Sequence, residues 1–410
     1  MEARNRNLWL VVFTIAVDAF GFGILLPVIP QLLTSPSSPF YLLAPDTSVK
    51  TGYLLIGCLS ASYPMMQFFS TPLLGQLSDR YGRKPILAVS LAGTSIGYVM
   101  FALAVISKNI PLLFAARLLD GLTGGNTSVA DAAIADITEP KDRTRSFGLA
   151  MGAFGLGLIA GPLIGGTLAD PSIVSWFDVA TPFWFAAILA ALNTTSISLL
   201  MTETTSPRRG ERLDLTRNLK NVAAAYAQPE SRSILATQFF TTMANSLLLT
   251  FFGVFLIDRF SFDDQQLAHF FGYIGICVIF TQFVTLRAAA KRFTEPRVLR
   301  VSIVGAAAVV AAYLLPTSAR WLFVIAPLVA TFNGLTLSNL TGLLSRSAPA
   351  GAQGEIMGIG RSVQALAMAV PPLLAGSFAT VLAPAGVVAA AALAHLVGWI
   401  VFTRFYRADS

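Results

Sequence analysis

Hydrophobic residues occur in this chain in blocks of roughly 20, separated by short polar segments. A helix of about that length crosses the roughly 30 Å of hydrocarbon in a bilayer. Because a backbone in lipid must satisfy its own hydrogen bonds, these blocks are expected to be helices. A membrane β-barrel would instead show alternating segments of about ten residues, and the sequence contains no such series. The pattern therefore predicts an all-α integral membrane protein.

Twelve such blocks can be delimited, and an even number of spans places both termini on the same side of the membrane. Only 12% of the residues are charged, about half the fraction that is usual in soluble domains. A soluble fold could not keep so much apolar surface away from water. The predicted spans are 8–33, 51–75, 85–106, 110–135, 145–169, 180–201, 233–257, 265–288, 298–316, 320–345, 354–378 and 385–404.

Basic residues are distributed unequally between the two predicted sides. Of the 28 lysines and arginines, 22 fall at the termini or in even-numbered connections and 4 in odd-numbered ones, with Arg117 and Arg361 inside spans. Connections rich in Lys and Arg stay in the cytoplasm. Both termini are therefore predicted to be cytoplasmic, and the net charge of +7 needs no nucleic-acid partner.

The longest charged connection divides the chain into two halves of six spans. The predicted domains are an N-terminal six-helix bundle at 1–201, a cytoplasmic linker at 202–231 and a C-terminal six-helix bundle at 232–410. The segment Asp-Gly-Leu-Thr-Gly-Gly-Asn at 120–126 returns as Asn-Gly-Leu-Thr-Leu-Ser-Asn at 333–339. This echo favours two pseudo-symmetric bundles with a binding site near the membrane midplane.

Several segments carry motifs beyond hydropathy. The loop predicted after span two reads Gly-Gln-Leu-Ser-Asp-Arg-Tyr-Gly-Arg-Lys-Pro at 75–85. Span one contains Asp18, and span four contains Arg117 and Asp120. Span five is rich in glycine, including the stretch 155–166.

These motifs resemble those of the major facilitator superfamily in its drug–proton antiporter form, and the stretch 116–166 resembles the tetracycline efflux proteins in particular. The resemblance implies the twelve-helix major facilitator fold and proton-coupled export of a small amphipathic compound or drug by alternating access. Tetracycline efflux proteins typically carry further acids in spans three and nine, whereas these spans contain no Asp or Glu here. The resemblance therefore supports the mechanism better than it supports tetracycline as the substrate.

The 75–85 segment is interpreted as a conformational latch. Its glycines permit a tight turn. Asp79 can accept hydrogen bonds from a helix N-terminus, that of span eleven being favoured, and Asp136 can pair with Arg80 or Arg83. The alternative is a positively charged loop that only sets topology. The predicted latch residues are Gly75, Asp79, Arg80, Gly82, Arg83 and Asp136.

Span five carries the motif that the resemblance associates with antiporters. Glycines three or four residues apart let helices approach closely, and a proline permits a kink, so this span is expected to bend or slide. Tight packing without motion is the alternative. The motif residues are Gly155, Gly161, Pro162, Gly165 and Gly166.

Three charged residues are predicted near mid-depth in the N-terminal half. Asp18 lies about ten residues into span one, or about 15 Å deep at 1.5 Å per residue. Arg117 and Asp120 are three residues apart and can pair on one helix face. Because an intramembrane carboxylate is costly and usually functional, Asp18, Arg117 and Asp120 are interpreted as a proton-coupling cluster. A static structural role is the alternative for each.

Polar and apolar residues of spans seven and ten are candidates for contact with the substrate. The alternative for each is an ordinary interhelical hydrogen bond or packing contact. The candidates are Gln238, Asn245, Asn333, Asn339, Phe239 and Met243.

The remaining features exclude several classes of protein. The chain has no P-loop, no catalytic triad and no metal-ligand spacing among its two histidines and two cysteines, so it is predicted to be no enzyme and to need no cofactor or metal. Its predicted partners are a small-molecule substrate, protons and the lipid bilayer, with the chain acting as a monomer. It is expected to be a multi-pass plasma membrane protein, in the inner membrane if bacterial. Uptake or facilitated transport on the same fold, and a receptor that does not transport, are the alternatives.

Overall fold

The structure is a computed structural model that describes residues 2–36, 38, 40–44, 46–139, 143–205, 220, 223, 229–347 and 353–406. Within these ranges short connections join helices, and no strand occurs. The helices are α1 (Glu2–Thr34), α2 (Val49–Tyr81), α3 (Arg83–Ile106), α4 (Ile110–Thr123), α5 (Asn126–Ile137), α6 (Arg143–Leu168), α7 (Thr181–Leu200), α8 (Pro229–Phe260), α9 (Asp264–Phe280), a π-helical turn (Thr281–Thr285), α10 (Leu286–Arg292), α11 (Glu295–Ala312), a 3₁₀ turn (Ala319–Trp321), α12 (Leu322–Arg346) and α13 (Gln353–Phe405).

These helices account for the twelve predicted spans. α4 and α5 together form span four, and α9, the π-helical turn and α10 together form span eight. α13 contains spans eleven and twelve, which meet at the non-helical residue Ala383 (φ 61°, ψ 169°) just before Pro384. Eight helices in the described chain are individually long and apolar enough to cross a membrane. The predicted all-α membrane fold is confirmed.

The described chain forms two compact units. The N-terminal unit comprises Met1–Asp46, Ser62–Thr216 and Asp264–Gly272, and the C-terminal unit comprises Thr47–Ala61, Arg217–Asp263 and Tyr273–Ser410. The predicted domain boundaries remain a prediction, because most of the 202–231 linker lies outside the described residues.

The core of the N-terminal unit is built on α1 and α3. α1 packs most extensively on α6, and α3 on α7 and α4. A cluster of buried side chains from α1, α3, α5, α6 and α7 fills the space between them. Its members include Val11, Leu87, Leu91, Val129, Ile134 and Ile197.

The C-terminal unit has its own core. α8 packs most extensively on α13, and α11 packs on both α12 and α13. The buried side chains that join these helices include Ile234, Leu299, Ile303, Leu340, Ile359 and Phe402.

Candidate functional site

A buried ion pair lies within α4 in the N-terminal unit. Arg117 Nη1 donates to Asp120 Oδ2 at 3.1 Å, and the two side chains are only 4% and 12% exposed. The guanidinium also stands over the ring of Tyr63, 4.8 Å from its centroid. Arg117 Nε is buried and has no hydrogen-bond partner among the described residues. The arginine is therefore held on one side by a carboxylate and an aromatic face, and is unsatisfied on the other.

Asp18 shares a small cavity with this pair. It projects from α1 and remains partly accessible, whereas Asp120 is buried. Across the residues that the structure describes, Arg117 pairs with Asp120, and no ion pair of Asp18 occurs. The three predicted coupling residues thus meet at one site, but as an ion pair beside an unpaired carboxyl. The cavity is lined by Asp18, Phe22, Tyr63, Thr94, Tyr98, Arg117, Asp120 and Gly124.

A break in span four forms one side of this site. Gly124 and Gly125 separate α4 from α5, and a Cβ at Gly125 would lie 2.7 Å from Ser70 Oγ. Side chains of α2 satisfy the carbonyl groups at the break, because Gln67 Nε2 donates to Gly124 O at 2.9 Å and Ser70 Oγ donates to Gly121 O at 3.1 Å. The two glycines therefore allow α2 to come close enough to replace the lost helical hydrogen bonds.

Sequence analysis did not identify the α2 and α3 residues of the site. Tyr63 and Tyr98 line the cavity, and Gln67 and Ser70 stabilise the break. The available signal was a run of polar and aromatic side chains within an apolar span. Such residues need a partner in the membrane.

The 75–85 segment is largely helical, and its prediction as a loop was wrong. Residues 75–81 end α2, α3 begins at Arg83, and only Gly82 lies between them, with φ 103°. This left-handed conformation is accessible to glycine at little cost, so the chain turns within a single residue.

Arg83 is the centre of the predicted latch. Its Nη1 lies 2.7 Å from Asp79 Oδ1 and donates to Ser78 Oγ at 2.6 Å, while its Nε donates to Asp136 Oδ2 at 3.0 Å. The network joins α2, α3 and α5 within the N-terminal unit. Arg80 instead contacts the Tyr81 ring, 5.4 Å from the centroid. A Cβ at Gly75 would be in ordinary contact with the hydroxyl of Ser128.

Glu203, which follows α7, is a further component that sequence analysis missed. Its Oε1 accepts from the backbone N–H of Arg83 at 2.8 Å, and its Oε2 accepts from that of Lys84 at 3.3 Å. A carboxylate is favoured at a helix N-terminus because the first N–H groups have no helical partner. Glu203 thus attaches the segment after span six to the start of α3.

The glycines of span five have different surroundings. A Cβ at Gly161 would lie 2.5 Å from Phe20 O and 2.7 Å from the Cα of Gly23, so α6 crosses α1 closely at this point. Pro162 contacts Gly23, and Gly165 faces Ile24 of α1.

Two other glycines of the motif behave differently from Gly161. Gly166 faces Ala268, whereas a Cβ at Gly155 would meet no atom within 4 Å. Close packing therefore accounts for part of the motif and not for Gly155.

The predicted substrate residues lie in the C-terminal unit in different environments. Asn333 Oδ1 is 3.1 Å from Nε2 of the buried His395, and Asn339 donates to Leu335 O of its own helix at 2.7 Å. Gln238 is buried beside Gly360. Phe239 packs on the core, and Asn245 and Met243 are partly exposed. No hydrogen bond joins the four amides within the described chain, and their role stays a prediction.

Comparison with known proteins agrees with this architecture. The Major Facilitator Superfamily sequence model matches residues 8–372. The chain is 31% identical to tetracycline resistance protein class C of Escherichia coli, over 90% of this chain and 89% of that protein. It is also 31% identical to the class D protein of Salmonella ordonez, over 87% of this chain and 86% of that protein.

Solved structures share the fold at lower sequence identity. The human organic anion transporter MFSD10 (TETRAN) superposes with a TM-score of 0.72 at 22% identity, covering 97% of this chain and 99% of that one. A bacterial homologue of the human lysosomal transporter Spinster gives 0.74 at 16% identity, covering 99% and 96%. The chain belongs to the major facilitator superfamily, whose members are membrane transporters rather than enzymes. It is a multi-pass protein of the plasma membrane.

Proposed function

We propose that this transporter exports a small amphipathic compound of the tetracycline type in exchange for protons. The observation that carries the proposal is the cavity that Asp18 shares with the Arg117–Asp120 pair inside the membrane-spanning part of the N-terminal unit. Ionisable groups at such depth are expensive to keep and mark ion or substrate pathways. The names of the relatives, tetracycline resistance proteins, support the class of substrate.

The three charged residues would have different roles in coupling proton movement to substrate transport. Asp18 is reachable from the cavity and lacks a cationic partner in the described chain, so it is the group best suited to accept and release a proton. Arg117 cannot be deprotonated, and its pairing with Asp120 keeps a fixed charge next to Asp18. Loading Asp18 with a proton would change the net charge of the cavity and hence its affinity for substrate.

Export rather than uptake is supported by the span-five motif and by the relatives. Gly161 brings α6 into close contact with α1, the helix that carries Asp18. Movement of one helix would therefore displace the other. The proposed substrate contacts remain those of the C-terminal unit. They are Gln238, Phe239, Met243, Asn245, Asn339 and Asn333, the last together with its partner His395.

The Arg83 network is proposed to latch the cytoplasmic end of the N-terminal bundle. It ties α2, α3 and α5 through Asp79 and Asp136. The same proposal has three further parts. Asp79 would contact the N-terminus of span eleven, the chain would consist of two six-helix halves joined at 202–231, and it would act as a monomer.

The decisive experiment measures protons and substrate together. Purified protein is reconstituted into liposomes with a pH indicator inside, and a panel of lipophilic drugs that includes tetracycline is added. Wild type is compared with Asp18→Asn and with Asp46→Asn, in which the altered acid is exposed in the α1–α2 connection. We expect drug-induced proton movement in wild type and Asp46→Asn, and none in Asp18→Asn.

The other outcomes separate the alternatives. Drug flux without proton movement in wild type would indicate a facilitator. Binding without flux would indicate a receptor. Proton movement that survives in Asp18→Asn would leave antiport in place but assign Asp18 a structural role.

A further inference from the structure

Asn126 is a buried side-chain amide whose polar atoms form no hydrogen bond in the part of the chain that the structure describes. It is the first residue of α5, at the break in span four, and is 0% exposed. Neither Nδ2 nor Oδ1 forms a hydrogen bond with any described residue. α5, which begins at Asn126, packs on α1, the helix of Asp18, and follows Gly124, which lines the same cavity as Asp18. Because a buried amide without partners is costly, its retention calls for an explanation.

A second buried asparagine in the same unit does form side-chain hydrogen bonds. Asn193 of α7 is also 0% exposed. Its Nδ2 donates to Thr14 Oγ1 at 3.1 Å, and its Oδ1 lies 3.3 Å from the same hydroxyl. Packing in this unit is therefore compatible with a buried amide that forms hydrogen bonds, in contrast to Asn126.

The chemistry of an amide suits a carboxyl group that changes its protonation state. The N–H of Asn can donate to a carboxylate, and its C=O can accept from a carboxylic acid O–H. A half-turn of the amide plane exchanges the two arrangements without any proton on Asn126 itself. A cation would favour only the carboxylate, and the nearby Arg117 already pairs with Asp120.

We propose that Asn126 is a positioning residue of the proton site, whose amide hydrogen-bonds the Asp18 carboxyl in both protonation states and inverts when the proton enters or leaves. The proton moves only between the cavity and Asp18. This inference rests on the proposed function and names an additional residue of the same site.

The other ionisable groups around Asp18 are few. Tyr63 faces it from α2, Tyr98 from α3, and Arg117 and Asp120 from α4. α7 has no ionisable residue, α6 has none after Arg145, and α5 carries Asp131 and Asp136, of which Asp136 pairs with Arg83. Of the carboxyl groups at this site, only Asp18 lines the cavity without a cationic partner in the described chain, so a pH effect of Asn126 should act through Asp18.

The test compares the pH midpoint of drug-induced proton release in proteoliposomes, with tetracycline or the most effective compound of the panel as the probe. Asn126→Leu replaces the amide with an apolar group of the same branched shape, Asn126→Ala removes it without adding bulk, and Asn126→Ser restores a group that can donate and accept. Asn193→Leu is the matched control. Drug counterflow without a pH gradient verifies that each variant folds and moves substrate.

In Asn126→Leu and Asn126→Ala we expect the midpoint to move to higher pH by about one unit, since a hydrogen bond to the charged form is the stronger of the two that are lost. Asn126→Ser should recover at least part of the shift. Asn193→Leu should be less stable to heat, with the midpoint of wild type.

An unchanged midpoint in either amide-free variant that retains counterflow would overturn the proposal, as would an equal shift in Asn193→Leu. If wild type itself released no protons, the proposed antiport would be wrong. If wild type does release protons and the Asn126 variants do not differ from it, only the role of Asn126 is wrong.

Discussion

Two arginines of one motif have very different surroundings at the scale of single residues. Arg83 is 10% exposed and bonded to Asp79, Asp136 and Ser78, whereas Arg80 is exposed and stands over the Tyr81 ring, with no ion pair to any described residue. Exposed charges contribute little to stability, while hydrogen bonds between charged groups that are largely buried contribute substantially. Whether an arginine of this motif can contribute to the latch therefore depends on whether its side chain faces inward.

We predict that Arg83→Ala lowers the free energy of unfolding by about 2 kcal/mol or more, since two carboxylates and a hydroxyl lose their partner. Arg80→Ala should change it by about 0.5 kcal/mol or less. Thermal unfolding in detergent and drug flux in proteoliposomes measure the two effects. Equal destabilisation by the two substitutions would contradict the assignment of Arg83 as the centre of the network.

The charged residues of the site, and the ion pair between two of them, could be predicted from the sequence. Residue type and depth were enough to select Asp18, Arg117 and Asp120, and the spacing of three predicted the Arg117–Asp120 contact that the structure contains. The choice of Arg83 over Arg80, and the contributions of Tyr63 and Asn126, depend on side chains from other helices. Such contacts leave no periodic trace in the sequence.

At the scale of helices, the crossing of α1 and α6 depends on particular glycines. The backbones are so close at Gly161 that a methyl group would meet Phe20 O at 2.5 Å, while Gly155 on the same helix faces open space. Close approach of this kind permits favourable packing between membrane helices. The same residue type thus has two separate roles within a single motif.

We predict that Gly161→Ala impairs both folding and transport, because the added methyl group must push α1 and α6 apart. Gly155→Ala adds a methyl group without a clash and also favours the helix, so its thermal stability should equal or exceed that of wild type. Melting temperature and drug flux are measured for both variants. Loss of stability in Gly155→Ala, or tolerance of Gly161→Ala, would show that the two positions are not distinguished by packing.

Hydropathy predicted the number and type of the helices but not their interruptions. The average over about 20 residues identifies a span and conceals the break at Gly124–Gly125 and the π-helical turn Thr281–Thr285. The first break is stabilised by Gln67 and Ser70 of another helix, so a local pattern could not indicate it. The tight turn in the 75–85 segment was predicted, but not that Gly82 alone forms it between two helices, because hydropathy does not report backbone dihedral angles.

At the scale of the whole molecule, the distribution of basic residues determines the orientation in the membrane. α11 illustrates this clearly, because Lys291, Arg292 and Arg297 flank its N-terminal end and Arg320 alone follows its C-terminal end. Basic residues resist transfer across the membrane. The end of α11 near Phe293 is therefore predicted to be cytoplasmic and the end near Leu315 to be external.

This orientation can be tested with two residues that flank one helix. Leu315 and Phe293 are 79% and 53% exposed, so a cysteine at either position should be accessible to reagent. In a Cys58→Ser, Cys277→Ser background, a membrane-impermeant maleimide should label Leu315→Cys in intact cells. It should label Phe293→Cys only after the membrane is permeabilised. Because both sites adjoin the same helix, a difference in expression or folding of α11 would affect them alike. The opposite labelling pattern would therefore mean that the whole chain has the inverse orientation. The Arg83 network would then lie on the external side, where it could not act as a cytoplasmic latch.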